Sequence, residues 1–209
     1  MKVLLASEGS NELDYDGDAG ALAELVRPYL PIGTVIERIR IADPRLRRNV
    51  VKGKREGHYF KRLQRLLWLA EREEFDGVVA VVDEDGVRDR REGVSKANAD
   101  QAFRIPRAFG VAIPTFDAWM LADESALSDV MNCKVQRQPD LETMKRTEPK
   151  SRVDGLNRLS DYSLTRTELY VQVAKKLDQK RLSQRCPLGF AMFRGLLLAL
   201  QDQLCSQAD

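Results

Sequence analysis

Four short segments carry the hydrophobic patterning of strands, at residues 2–7, 34–41, 77–83 and 109–113. Each has strand length. The third, Gly77-Val-Val-Ala-Val-Val-Asp83, is apolar throughout its interior, the pattern of a strand covered on both faces. Helical spacing fills the intervals. Ala19 to Leu30 is predicted as a helix with Asp18 as its N-cap. In His58 to Arg72, Tyr59 or Phe60, Leu63, Leu66 or Leu67, and Ala70 share one face, while Arg62, Arg65 and Glu71 point away. A short helix is expected over Asn98 to Phe103 and a longer one over Phe116 to Met131, with Trp119, Met120 and Leu121 in the core. Alternation of this kind implies an α/β fold: a mostly parallel four-stranded sheet with helices on both faces.

The pattern changes after residue 133. Lys134 to Tyr162 is polar, contains Pro139 and Pro149, and reads as a loop-rich connection. Thr165-Arg-Thr-Glu168 is a capping box that opens a helix carrying Leu169, Val173 and Leu177 on one face. Pro187 precedes a last helix with Phe190, Phe193, Leu197 and Leu200 or Leu204. The expected organisation is therefore an α/β domain over 1–133 and a helical extension over 134–209, packed on it or forming a small lobe.

At 209 residues and 43% hydrophobic, the chain can fill such a core. Charged residues make up 32%, yet the net charge is only +2, so the distribution of charge matters more than its sum. No run reaches the roughly 18 apolar residues of a membrane span, and no secretory leader is evident. Cys133, Cys186 and Cys205 show neither zinc spacing nor a disulfide framework. A cytoplasmic protein with reduced thiols, free of the membrane, is expected.

The chemistry concentrates where the strands end. Val82-Asp83-Glu84-Asp85-Gly86 runs from a buried strand into a tight turn, and Ser7-Glu8-Gly9 has the same grammar. Clustered carboxylate oxygens suit a hard cation such as Mg²⁺ or Mn²⁺, and sites of parallel sheets lie beyond the carboxyl ends of the strands. If the first and third strands are neighbours, Glu8, Asp83 and Asp85 can share one divalent ion; otherwise they are solvated acids of βα turns. Asp117, at a helix start, either approaches that ion or complements the helix dipole. Asp123 reads as a structural cap. Asp14, Asp16 and Asp18 echo a calcium loop, but Ala19 and Leu25 occupy the positions where that loop needs Gly and Glu.

These motifs resemble the TOPRIM fold of topoisomerases, bacterial primases and nucleases of the overcoming-lysogenization-defect type. Ser7-Glu8-Gly9-Ser10-Asn11-Glu12, Val82-Asp83-Glu84-Asp85 and Ile113-Pro114-Thr115-Phe116-Asp117-Ala118-Trp119-Met120-Leu121-Ala122-Asp123 together are similar to an uncharacterised TOPRIM-related family. Its members are often encoded beside AAA- or ABC-type ATPases, some in antiphage systems. The resemblance covers roughly residues 1–130 and implies a Rossmann-like core. It places Glu8 in the general acid/base or ligand position and Asp83 and Asp85 as Mg²⁺ ligands. Glu12, matching the second acid of the family's run, is either a further ligand or a solvated acid.

Basic residues supply candidate phosphate contacts. Arg45, Arg47, Arg48, Lys52, Lys54, Arg55, Lys61 and Arg62 crowd one segment around Gly53 and Gly57. Of these, Arg48, Lys52, Lys54 and Arg55, with Arg88 after the Asp-x-Asp turn, are the candidate nucleic-acid contacts. Arg90 and Arg91 either clamp phosphate or pair with Asp89 and Glu92. Lys175, Lys176, Lys180, Arg181 and Arg185 form a second basic face. The lone His58 reads as structural, and no phosphate loop or nucleophile elbow is present.

The first expectation is a Mg²⁺-dependent TOPRIM-type nuclease acting on nucleic acid, DNA before RNA, as the effector of a partner ATPase. The alternative is a non-catalytic TOPRIM-like subunit that binds an ATPase or nucleic acid. A phosphatase of the haloacid-dehalogenase kind is disfavoured, because that fold places its Asp-x-Asp after the first strand.

Overall fold

The computed structural model of the chain describes residues 1–15, 18–46, 58–160 and 164–208. Its centre is a four-stranded sheet built from β1 (Lys2–Ser7), β4 (Val35–Arg40), β5 (Gly77–Asp83) and β6 (Arg107–Ala112). The strands are parallel in the order β4-β1-β5-β6. A small antiparallel ribbon, β2 (Asp14–Tyr15) with β3 (Asp18–Ala19), follows the first βα connection. The expected α/β class with a four-stranded parallel sheet is present, with a Rossmann-like arrangement.

Strand pleating sorts the apolar side chains into two layers. Val3, Leu5, Val79, Val81, Ala108 and Ala112 face one core. Leu4, Ala6, Val78, Ala80, Val82 and Phe109 face the other. Such two-sided burial is why β5 reads as continuously apolar. The edge strand β4 carries the charged residues Glu37, Arg38 and Arg40 and is exposed at Val35, Glu37 and Arg40, which blunts an open edge.

Helices cover both faces. On one lie α3 (His58–Arg72) and α4 (Arg88–Asn98), packed together over the second core. α3 has the bounds its periodicity predicts. α4 is a correction: helix occupies Arg88–Asn98, whereas residues 99–103 are turn and irregular backbone. Its sequence carries few apolar residues. Val94 and Ala97 enter the second core, and the helix approaches α3 closely, since a Cβ on Gly93 would lie 2.9 Å from the Phe60 backbone nitrogen.

On the other face lie α1 (Ser10–Leu13), α2 (Ala21–Val26), α5 (Phe116–Met120) and α6 (Glu124–Met131). α2 is capped by Gly20 rather than Asp18, and a 3-10 turn over Arg27–Tyr29 completes it. The single helix expected from Phe116 to Met131 is two. Asp123 breaks it by capping α6 through the Ser125 and Ala126 N–H groups.

Four more helices follow: α7 (Glu148–Leu159), α8 (Arg166–Lys176), α9 (Gln179–Arg185) and α10 (Phe190–Ala208). α7 lies within the stretch expected to be loop-rich. Pro149 sits in its first turn, where a missing N–H is harmless. The Thr165–Glu168 capping box opens α8 as predicted. α8 packs on α2 and α6, and α10 packs on β6. Leu169, Val173, Phe190, Phe193, Leu197, Leu200 and Leu204 join the same core as β1 and β5. Among the described residues no helix is long and apolar enough to cross a membrane.

Candidate functional site

Strand order decides where a site can form. From β1 the chain crosses to β4 on one side, then returns past β1 to β5 on the other. The carboxyl ends of β1 and β5 therefore flank the topological switch point, the usual crevice for ligands in open parallel sheets. Ser7 pairs with Val81, so Glu8 and Asp83 emerge side by side. The condition set by the sequence, that the two strands be neighbours, is met.

Local backbone then aims the acids. Gly9 lets α1 begin at once, and α1 folds Glu12 back over it: a Cβ on Gly9 would stand 2.7 Å from Glu12 Oε1. At the other strand end, Val87 N–H closes a turn onto the Glu84 carbonyl at 2.9 Å. Asp85 and Gly86 both have positive φ there, 54° and 71°. Asp and Gly are the residues that tolerate such a turn. Beyond β6, Asp117 stands in the first turn of α5. Glu8, Glu12, Asp83, Asp85 and Asp117 all line one cleft of about 460 Å³.

Contacts divide these five acids. Glu8 is engaged on both oxygens: Oε1 accepts from the Tyr59 hydroxyl at 2.5 Å. Oε2 accepts from the Asp83 N–H at 3.2 Å and from Arg90 Nη1 at 2.9 Å. Arg90 also pairs with Asp85 Oδ2 at 2.9 Å and donates to the Asp83 carbonyl at 2.5 Å. Its guanidinium lies over the Tyr59 ring, 4.4 Å from the centroid. Arg146 Nε takes the other Asp85 oxygen at 2.8 Å. Glu8 and Asp85 are thus neutralised by arginines.

Among the described residues, Glu12, Asp83 and Asp117 have no arginine or lysine partner. Asp83 Oδ1 accepts the Phe116 N–H at 2.7 Å. Asp117 accepts from the Tyr170 hydroxyl and, at 3.2 Å, from Thr115. Burial, then the charges of Asp85, Asp117 and Glu8, push the Asp83 carboxyl up to about 7 against the Phe116 bond. Glu12 is raised well above its ordinary value, by burial first and then by Asp83, Asp117 and Glu8. Burial together with Asp117 raises the Tyr170 hydroxyl, which stays protonated as a donor. Among the described residues, no arginine or lysine pairs with the acids in this half of the cleft.

The donor set, all hard carboxylate oxygens short of positive charge, fits Mg²⁺ or Mn²⁺. As the side chains stand, no group of three His, Cys, Asp or Glu among the described residues is arranged to hold a metal ion. The contacts above account for this: Arg90, Arg146, Tyr59 and Tyr170 occupy carboxylate oxygens that a cation would need.

The basic candidates fare differently. Arg48, Lys52, Lys54 and Arg55 lie outside the described residues, and so does the side chain of Arg88, whose backbone opens α4. Arg45 pairs with Asp43. Arg90 and Arg91 pair with Glu8, Asp85 and Glu84, not with Asp89 or Glu92. In the second basic face, Arg181 and Arg185 pair with Asp123 and Glu124, a structural role. Sequence reasoning missed Tyr59, Tyr170, Arg146, Lys150 and Arg166, of which the last four line the cleft. Tyr59 and Tyr170 sit in amphipathic helices where an aromatic residue reads simply as core.

No protein-family model, curated protein or solved structure matches this chain. The functional reading rests on the residues themselves.

Proposed function

We propose that this chain is a Mg²⁺- or Mn²⁺-dependent nuclease of TOPRIM type, hydrolysing phosphodiester bonds at the β1–β5 switch point. One observation carries the reading: five carboxylates from three stretches of the chain meet in one cleft at that crevice, and two of them are raised by burial first and then by their acidic neighbours. A bound divalent cation would neutralise phosphate charge and lower the pKa of a coordinated water.

The chain's own groups have separable tasks. Asp83, Glu12 and Asp117 are the ligands most in need of a cation, with Asp85 completing the set once Arg146 releases it. Glu8, oriented by Tyr59 and Arg90, is the acid/base group beside them. Arg90 bridges Glu8 and Asp85 and sets their spacing. Arg48, Lys52, Lys54, Arg55 and Arg88 remain the proposed contacts to a nucleic-acid backbone, DNA before RNA. A partner ATPase would couple this activity to a larger system.

Incubation of purified protein with single-stranded and duplex DNA and RNA, with Mg²⁺, Mn²⁺ or EDTA, tests this. Cutting should require the metal and should vanish in Asp83→Ala and Asp85→Ala while circular dichroism stays native. Cutting that persists in both variants rejects the assignment.

The Arg90 bridge between Glu8 and Asp85 favours a second reading, a non-catalytic TOPRIM-like subunit whose acids are structural. It predicts stable co-purification with an ATPase and no turnover with either metal.

A further inference from the structure

Across from the acids, the cleft has a cationic wall that no strand-end motif anticipates. Arg146 and Lys150 flank the start of α7, and Arg166 opens α8. Arg146 reaches over to Asp85 at 2.8 Å with its side chain still 64% exposed. Lys150 is exposed and makes no ion pair among the described residues. Arg166 is held by Asp154 through Nη2 at 2.5 Å, yet its Nε–H is buried without an acceptor. A buried donor left unmade costs free energy that a ligand oxygen would recover. Guanidinium groups match phosphate geometry, and a lysine adds a mobile point charge.

We propose that Arg146, Lys150 and Arg166 form a phosphate-binding wall that holds a phosphate group of the substrate against the acid cluster, Arg146 exchanging Asp85 for that phosphate. This rests on the phosphoryl-transfer reading of the cleft. It differs from the contacts proposed on the 45–62 segment, because the wall belongs to the C-terminal part of the chain. The exchange has a consequence: the same cation that claims Asp85 frees Arg146 for the anion, so metal and phosphate bind together more tightly than either alone. The phosphate can be a strand-terminal monoester or an internal diester.

Fluorescence anisotropy with a short labelled single-stranded DNA, Ca²⁺ replacing Mg²⁺, measures the wall directly. Oligonucleotides bearing a 5′-phosphate or a 5′-hydroxyl, and inorganic phosphate as competitor, distinguish the two sources. Arg146→Gln, Lys150→Gln and Arg166→Gln should each weaken binding roughly tenfold. Each should also flatten the dependence of log K on log salt by about 0.7. Arg166→Lys should recover part of the loss, and thermal melts confirm folding. A wild-type preference for the 5′-phosphate that disappears in the variants assigns the wall to strand ends; equal losses on both oligonucleotides assign it to internal phosphates.

Mn²⁺ binding, followed by electron paramagnetic resonance, is read separately. Arg146→Gln should bind Mn²⁺ at least as tightly as wild type. Unchanged affinity and salt slope in folded Arg146→Gln and Lys150→Gln overturn the wall and leave the metal reading intact. Absence of Mn²⁺ binding in wild type, with the anion losses present, sinks the metal reading and keeps the wall.

Discussion

Glu8 accepts the backbone N–H of Asp83 at 3.2 Å, a side-chain bond that ties the end of β1 to the end of β5. The same carboxylate accepts from Arg90, so one glutamate sets both the spacing of the strand ends and the position of the arginine. Glu8→Gln keeps one oxygen for the Asp83 N–H or for Tyr59 but removes the charge facing Arg90. If Glu8 is the acid/base group, cutting should fall by about 10²–10⁴-fold. Melting should shift by only a few degrees, as calorimetry would show. Unimpaired cutting by this variant removes Glu8 from the chemistry.

Arg90 is 13% exposed and serves two carboxylates and a carbonyl. Arg90→Ala strands Glu8 without a counter-charge and leaves Asp85 only Arg146, which should cost about 3 kcal/mol in denaturant unfolding without divalent ions. Saturating Mg²⁺ should restore part of the loss. A variant as stable as wild type in EDTA would show that the bridge is energetically idle.

Asp83 makes metal binding and stability depend on pH with opposite signs. Its carboxyl is raised from 3.8 to about 7, mainly by burial. In the metal-free protein its contribution to stability is therefore fully present below pH 3.8 and is lost as pH rises through about 7. A cation must displace that proton, so Mn²⁺ affinity should climb between about pH 6 and 8. Melts with and without MnCl₂ check both: the stabilisation by metal should be larger at the higher pH. A metal-induced shift that does not change across this range contradicts the assignment.

Asn98 closes the open edge of the sheet. Its amide donates to the Phe109 carbonyl at 2.9 Å and accepts the Phe109 N–H at 3.0 Å, as a neighbouring strand would. Asn98→Ala leaves both backbone groups unmade and should cost about 1–3 kcal/mol. Hydrogen exchange at Phe109 should accelerate, whereas that at Val79 in the sheet centre should follow global unfolding only.

Asp123 works in the opposite pH direction from Asp83. Burial raises its carboxyl, but N–H donors of Asp178, Ala126 and Ser125 together with Arg181 outweigh this and lower it below 3.8. Its stabilisation is present above that ordinary value and is lost as pH falls through the lower folded one. Asp123→Asn should be less stable near neutrality, and its deficit should shrink on acidification in urea titrations.

Much of the framework was legible along the chain. The unbroken apolar run of β5 announced a strand covered on both faces, and the leucine spacing of α3 announced its helix. Thr165 and Glu168 marked a helix start because a capping box is a local contact. Glu8, Asp83 and Asp85 could be picked out because acids directly after buried strands are conspicuous. α4 was misplaced because only Val94 and Ala97 of its residues enter the core and its close approach to α3 at Gly93 leaves no apolar period to read. α7 was missed because its first turn carries Pro149 and charges that read as loop.

What the sequence determined by itself is what depends on neighbours a few residues away: strand and helix periods, caps, the Asp85-Gly86 turn, and which acids sit at strand ends. Tertiary structure alone decided which ends meet, since strand order puts β1 beside β5. It also decided that Arg90 and Arg146 neutralise Glu8 and Asp85, while among the described residues Glu12, Asp83 and Asp117 have no cationic partner. Electrostatic balance depends on distances between groups far apart in the chain, 82 residues in the Glu8–Arg90 pair. No local pattern encodes such distances, and only the folded chain fixes them.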